Sequence, residues 1–152
     1  MYRAIEHDGK EYRLEYSLEA YMTKYVDQYG NYKTHVAPLV EYMTKLNESG
    51  EGDDNIAAAF DIPEIAAHAM YAGLLRWHGR GKRGDKTIVT YDDACEFCWE
   101  LLEAHPDDQY LGSWSGLLAM CIEQIEADGF FTRLAGAATP QDKKPEQKSK
   151  KK

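Results

Sequence analysis

The sequence predicts a mainly α-helical protein: a compact bundle of about five helices, preceded by an N-terminal β-hairpin and followed by a disordered basic tail. Three observations predict this class. Apolar residues recur every three to four positions over most of the chain, which is the period of amphipathic helices. The first 16 residues instead alternate at period two, and the last residues are rich in lysine and poor in apolar side chains. We therefore expect a helical domain over 1–134 and a disordered tail over 135–152.

The N-terminal hairpin is predicted from two alternating stretches, residues 2–6 and 12–16. Asp8 and Gly9 lie between them, and an Asp-Gly pair favours the tight turn that joins two antiparallel strands. A lone hairpin is only marginally stable in water, so we expect it to pack on the helices that follow.

The first helix is predicted to start after Ser17, a suitable N-cap, and to end at Gly30. Apolar residues at helical spacing would form one stripe on this helix, and they are Leu18, Tyr21, Met22, Tyr25, Val26 and Tyr29. Within the stripe, the three tyrosines recur every four residues and would form one aromatic row. A second helix is predicted over residues 34–47.

The clearest helical pattern in the chain begins at Asp61 and ends at Gly79. Asp61 and Glu64 have the spacing of a capping box, with Pro63 in the first turn. A short helical turn is expected before it, over residues 54–60. The apolar residues behind the cap fall on one helix face, so we expect an amphipathic helix.

The last two helices follow a basic loop over residues 79–86. Thr90 and Asp93 have cap-like spacing, which predicts a helix over 91–104. A final long helix is expected over about 107–128.

Charge is distributed unevenly along the 152 residues. The formal net charge is −8, but residues 141–152 carry +4 and the remaining 140 carry −12. An acidic body disfavours general nucleic-acid binding, because phosphate contacts need concentrated Lys and Arg. No stretch is long and apolar enough for a signal peptide or a membrane span, so we expect no membrane association.

Cys95 and Cys98 form a CxxC pair, a spacing used by zinc and redox sites. Both thiols fall on the predicted buried face of their helix, together with Ala94, Trp99 and Leu102, which favours a structural role in the core. A zinc site would need His105 and Cys121 as further ligands. The other histidines, among them His35 and His68, lack metal-ligand spacing and are expected at the surface or half-buried. We expect no catalytic residues, metal or cofactor.

Two surface features are candidates for binding a partner. The first is a basic patch, interpreted either as a solvated loop or as a docking site for an acidic protein or RNA. The second is a set of aromatic and apolar residues, interpreted either as the rim of the core or as an exposed groove for a partner helix. The basic patch comprises Arg76, Arg80, Lys82, Arg83 and Lys86. The groove candidates are Tyr21, Tyr25, Tyr29, Tyr71, Leu75 and Trp114.

The order of predicted elements resembles the tail assembly chaperones of long-tailed bacteriophages. Three stretches carry this likeness: residues 8–20, a hairpin running into a helix; residues 69–75, which contain Tyr-Ala-Gly-Leu; and residues 90–94, a capped helix start. The likeness spans about residues 1–131. The basic loop and the lysine-rich tail depart from the family's pattern.

The resemblance implies a non-enzymatic protein of the host cytoplasm that is absent from the mature virion. Such chaperones bind the tape measure protein, keep it soluble and help recruit tail tube subunits to it. Many also exist in a longer form produced by ribosomal frameshifting, and Lys150–Lys152 would suit an A-rich slippery site. The exposed face could also serve self-association. Two alternatives stay open: a small regulatory or adaptor protein that binds protein or RNA through residues 76–86, and a zinc- or thiol-dependent protein using Cys95 and Cys98.

Overall fold

The protein is mainly α-helical, with a two-stranded antiparallel hairpin at its N-terminal end. The computed structural model describes residues 1–49 and 60–130. Within these ranges the chain forms, in order, β1 (Arg3–His7), β2 (Lys10–Leu14), α1 (Leu18–Met22), β3 (Lys24–Val26), β4 (Tyr32–Thr34), α2 (Ala37–Ser49), α3 (Ile62–His78), α4 (Tyr91–Ala104) and α5 (Trp114–Ala127). The predicted turn over 54–60, apart from its last residue, and the predicted tail over 135–152 lie outside the described residues.

The predicted N-terminal hairpin is confirmed, with different strand limits. His7 pairs with Lys10, so the connection between β1 and β2 is only two residues long. Asp8 and Gly9 both adopt positive φ angles, 51° and 75°. A two-residue turn with this geometry matches the twist of the flanking strands, which is why the second strand begins at Lys10 and not at residue 12.

Helix α3 lies at the centre of the molecule and contacts α1, α2, α4, α5 and β2. It begins where predicted, because the Asp61 side chain accepts a hydrogen bond from the Glu64 backbone N–H, and its last residue is His78, with Gly79 as the C-cap. The prediction of a one-sided apolar face is wrong. Every residue from Ile65 to Leu75 is buried, because neighbouring elements cover the helix on all sides.

The end of strand β2 and the two residues after it pack closely on α3 at Gly73. The Glu15 N–H donates to the Gly73 carbonyl at 2.8 Å, and the fully buried side chains of Leu14 and Tyr16 occupy the space where a Cβ of residue 73 would lie. The Tyr16 backbone N–H also donates to Asp128 Oδ2 at 2.8 Å, so this segment is tied to both α3 and the end of α5.

The first helix starts directly after Ser17, as predicted, but its predicted extent to Gly30 is wrong. Helix α1 ends at Met22, and β3 and β4 form a second hairpin in which Tyr25 pairs with Lys33. Asp27 starts the turn between these strands, because its Oδ1 accepts from the backbone N–H groups of Tyr29 and Asn31, both at 2.9 Å. This local bonding competes with helix formation, so the row of three tyrosines does not exist.

Helix α2 begins at Ala37, three residues later than predicted, because β4 extends to Thr34. Helix α4 has the predicted limits and the predicted capping box, formed by Thr90 and Asp93. Its buried face differs from the prediction: Phe97 and Leu101 are buried, whereas Trp99 is 57% exposed.

Helix α5 starts at Trp114, seven residues later than predicted. Asp108 Oδ1 accepts from the N–H groups of Tyr110 and Leu111 and so stabilises a turn, and Ser113 then caps the helix through the Gly116 N–H. Across 1–49 and 60–130, no helix is both long and apolar enough to cross a membrane.

Candidate functional site

Exposed apolar side chains are concentrated in the segment from Leu18 to Val40, hereafter the 18–40 segment. Of the ten large hydrophobic residues that are exposed in the described parts of the chain, seven lie in this segment. They include both aliphatic and aromatic side chains. They are Leu18, Tyr21, Met22, Val26, Tyr29, Tyr32 and Val40. Exposed apolar side chains that adjoin one another are typical of a protein–protein interaction site, and Leu18 and Met22 of this segment line the same cavity.

A cavity of about 730 Å³ opens beside α1, and we call it the α1 cavity. Exposed Leu18 and Met22 stand at this cavity, and Tyr71 and Leu75 of α3 also line it. The Tyr71 hydroxyl donates to the Val89 carbonyl at 3.1 Å, which holds the segment before α4 against α3. The cavity therefore has mostly apolar walls, with Glu19, Lys24 and Arg80 also in its lining, and an exposed apolar edge. A site for an apolar side chain or helix face has this character.

Two buried histidines lie behind the α1 cavity. His35 Nδ1 and His68 Nδ1 are 2.7 Å apart, so one ring donates a proton and the other accepts it. The His68 ring is stacked between Tyr25 and Tyr91, with centroid distances of 4.4 and 4.2 Å. We call these four residues the histidine cluster.

Burial determines the charge of the histidine cluster. It lowers the pKa of His68 to about 4, and burial together with the neighbouring His68 lowers the pKa of His35 to about 4. Both rings are therefore neutral at pH 7. One proton lies between the two neutral rings, because one Nδ1 donates and the other accepts. At pH 7 the cluster is therefore uncharged, and its role is to support the cavity wall.

A second cavity, of about 700 Å³, lies on the other side of the histidine cluster. Its walls include Tyr25, His35 and Tyr91, which also line the α1 cavity. Charged residues of this second cavity include Lys33, whose Nζ lies 3.4 Å from Asp27 Oδ2. The two cavities therefore share a wall, and the α1 cavity is the more apolar of the two.

The structure brings only part of the predicted groove together. Tyr25, Tyr71 and Leu75 all line the α1 cavity, whereas Tyr29 lines the second cavity and is 79% exposed. Tyr21, on α1, is 47% exposed.

Trp114 lies apart from the other groove candidates. It is at the start of α5 and packs edge-to-face on Trp99 of α4, with 5.4 Å between ring centroids. It lines neither of the two cavities.

The basic patch divides into one paired and four exposed residues. Arg76 lies 3.6 Å from carboxylate oxygens of both Glu15 and Glu19, so its charge is already compensated. The others project from the loop after α3, and they are Arg80, Lys82, Arg83 and Lys86. Arg80 also lines the α1 cavity.

The loop that carries these cations is anchored at its base. The Ile88 N–H donates to the His78 carbonyl at 2.8 Å. His78 Nε2 accepts from the Arg13 N–H at 2.8 Å, so its Nδ1 carries the proton that faces Asp85 Oδ2 at 3.2 Å. Burial alone would raise the pKa of Asp85, but hydrogen bonds from Thr87 and Lys10 hold it well below its ordinary value.

The three cysteines are free thiols, and burial raises the pKa of each above its ordinary value. Cys98 and Cys121 are buried, and burial raises the pKa of Cys98 well above its usual range and that of Cys121 to about 12. The thiolate is the reactive form. In the described ranges, Cys95, Cys98, His105 and Cys121 do not form a group of three ligand atoms close enough to hold a metal ion.

Sequence reasoning missed the main components of this site. His35 and His68 were expected at the surface or half-buried, yet both are buried. Leu18 and Met22 were expected on the buried stripe of a long helix, yet they are 64% and 67% exposed. The available signal was the strand-forming pattern of residues 24–26 and 32–34 around a turn with Asp and Gly.

No protein-family model matches this chain, and no curated protein or solved structure matches it.

Proposed function

We propose that this protein is a non-enzymatic phage tail assembly chaperone that binds the tape measure protein, keeps it soluble and helps recruit tail tube subunits. The proposal rests on the sequence resemblance described above. It places the protein in the host cytoplasm and outside the mature virion.

The concentration of exposed apolar side chains in the 18–40 segment is the observation that supports this function best. A protein that holds an aggregation-prone helical client needs apolar surface that remains available after folding. Leu18 and Met22 are one turn apart on α1 and stand at the α1 cavity. An amphipathic client helix could lay its apolar side chains along these residues and into the cavity.

The acidic remainder of the chain suits the same role. Residues 1–140 carry a net charge of −12, and like-charged complexes repel one another, which opposes aggregation of the loaded chaperone. Client binding therefore uses the apolar 18–40 segment, while the charged surface keeps the complex in solution.

Co-expression with the tape measure protein tests the proposal. The wild-type chain should raise the soluble yield of the tape measure protein and co-purify with it. The variant Leu18→Asp/Met22→Asp adds two charges at the α1 cavity and should abolish both effects. No rise in solubility with the wild-type chain, or full activity of this variant, would contradict the proposal.

A matched control is available on α5. Ser115 and Ala119 are exposed and have the same i, i+4 spacing as Leu18 and Met22, so Ser115→Asp/Ala119→Asp adds the same two charges to another helix. This control should retain client binding. Near-UV circular dichroism checks that both variants keep the tertiary structure of the wild type, so that a loss of binding can be assigned to the surface change.

A regulatory or adaptor protein that binds RNA or an acidic protein is the second candidate, and one observation favours it. Arg80, Lys82 and Arg83 are exposed on an anchored loop, and no ion pair engages them within the described residues. Salt-dependent RNA binding that is lost in Arg80→Ala/Lys82→Ala/Arg83→Ala would support this function over the chaperone role.

A further inference from the structure

The tip of the N-terminal hairpin meets the last turns of α4 in a small group of ligand-type side chains. His7 ends β1, Asp8 is the first residue of the turn, and Glu100 lies on α4. One nitrogen or oxygen atom from each of the three lies within 4.8 Å of the others. Glu100 therefore meets His7 and Asp8, which lie more than 90 positions earlier in the sequence.

The imidazole of His7 is buried, and its Nε2 atom has no hydrogen-bond partner. The residue is only 5% exposed, and Nε2 itself is shielded from solvent. The nearest carboxylate oxygens belong to Asp8 and Glu100, and each is 3.6 Å from Nε2. This distance is too long for a hydrogen bond. A buried polar atom without a partner is costly and calls for an explanation.

The spacing fits a metal ion held between the three side chains. Tetrahedral zinc has bonds of about 2.0–2.2 Å to histidine nitrogen and carboxylate oxygen, which separates neighbouring ligand atoms by about 3.3–3.6 Å. The two distances of 3.6 Å from His7 Nε2 lie at the upper end of this range. One imidazole and two carboxylates leave the fourth position for water.

The surroundings of His7 support the same interpretation. His7 Nδ1 lies 3.2 Å from Nε2 of His105. When His7 donates through Nδ1, its Nε2 lone pair faces the two carboxylates, as metal binding requires. A hydrogen bond from the second ring nitrogen is the usual way in which a ligating histidine is oriented.

We propose that His7, Asp8 and Glu100 form a binding site for a divalent cation of the zinc class. A mixed imidazole and carboxylate set suits zinc, whereas calcium and magnesium prefer sites made of oxygen atoms. The side chains of Asp8 and Glu100 are 85% and 61% exposed, so the ion can enter from solvent. The bound ion would join the hairpin turn to α4.

Zinc titration of the chelator-treated full chain by isothermal calorimetry tests the site. We expect about one zinc ion per chain, a zinc-dependent rise in melting temperature and no response to magnesium. Asp8→Asn and Glu100→Gln should each weaken zinc binding about tenfold or more. Both replace an exposed carboxylate by an amide of the same shape, and asparagine tolerates the positive φ of residue 8, so both variants should fold.

Two controls separate this site from others. Glu6 is exposed and precedes His7 on β1. Neighbouring side chains of a strand point to opposite faces, so Glu6 points away from the proposed site. Glu6→Gln should therefore leave the zinc affinity unchanged. Cys95→Ser should also leave it unchanged. Absence of saturable zinc binding, unaltered affinity in Asp8→Asn and Glu100→Gln, or loss of binding in Cys95→Ser would each overturn the proposal.

Discussion

Helix α3 and the 18–40 segment both contain many apolar residues, yet they use them in opposite ways. Every residue from Ile65 to Leu75 in α3 is buried, whereas Leu18, Met22 and Tyr29 are largely exposed. Burial of apolar surface stabilises the fold, so α3 contributes much of the stability of the protein. The exposed residues of the 18–40 segment contribute little to stability and remain available for a partner.

Matched leucine truncations should show this difference most strongly. Leu74 in α3 is fully buried and Leu18 in α1 is 64% exposed. Leu74→Ala should lower the free energy of unfolding by about 3 kcal/mol through lost burial and a cavity, and Leu18→Ala by less than about 0.5 kcal/mol. Urea denaturation measures both. Equal losses would mean that the Leu18 side chain, like Leu74, is packed in the core.

Acid should lower the free energy of unfolding through the contact between the two regions, where His35 of the 18–40 segment meets His68 of α3. The folded-state pKa of each is about 4, below the ordinary 6.5, so the unfolded chain binds more protons between these values. Stability is therefore complete above about pH 6.5 and falls as the pH drops towards 4. A drop from pH 6.5 to about 5.5 should cost about 2 kcal/mol.

The variant His68→Phe checks the origin of this pH dependence. Phenylalanine can occupy the place between Tyr25 and Tyr91 but does not titrate. The slope of unfolding free energy against pH should decrease by about 1 kcal/mol per pH unit relative to the wild type. An unchanged slope would assign the pH dependence to other groups.

A methyl group added at Gly73 tests how tightly α3 is packed. A Cβ there would lie 2.5 Å from Leu14 Cδ1 and 2.8 Å from Tyr16 Cζ. Overpacking costs about 1–3 kcal/mol, and the better helix propensity of alanine offsets up to about 1 kcal/mol. Gly73→Ala should therefore lose about 1 kcal/mol in urea denaturation. Gly81→Ala, where nothing lies within 4 Å, should be neutral.

Removal of exposed aromatics from the 18–40 segment should have the smallest effect on stability. Tyr29 and Tyr32 are 79% and 77% exposed, so Tyr29→Ala/Tyr32→Ala should change the unfolding free energy by less than about 0.5 kcal/mol. If this surface also mediates self-association, the variant should sediment with a smaller average mass than the wild type at high concentration. A large loss of stability would show that these rings are needed for folding.

The helices with local caps show what the sequence could predict. The limits of α3 and α4 follow from local capping by Asp61 and Thr90, whose hydrogen bonds involve residues three positions away. Such signals are contained in a short stretch and can be recognised there.

The 18–40 segment depends on contacts that no short stretch contains. Tyrosines at every fourth position satisfy a helical pattern, but Tyr25 stacks on His68, 43 positions away in the sequence. His7 and Glu100 likewise meet only in the folded chain. Pattern and propensity cannot anticipate such long-range pairs.

The hydrogen bond from the Tyr16 N–H to Asp128 joins residues that are 112 positions apart. During translation the hairpin and α3 leave the ribosome well before α5 is complete, so this bond and the packing of α5 on α3 form last. Long-range contacts of this kind slow folding, because the chain must close a large loop before it gains them. The nascent chain therefore carries an uncovered face of α3 until Asp128 has emerged, and in that interval it resembles an aggregation-prone polypeptide itself.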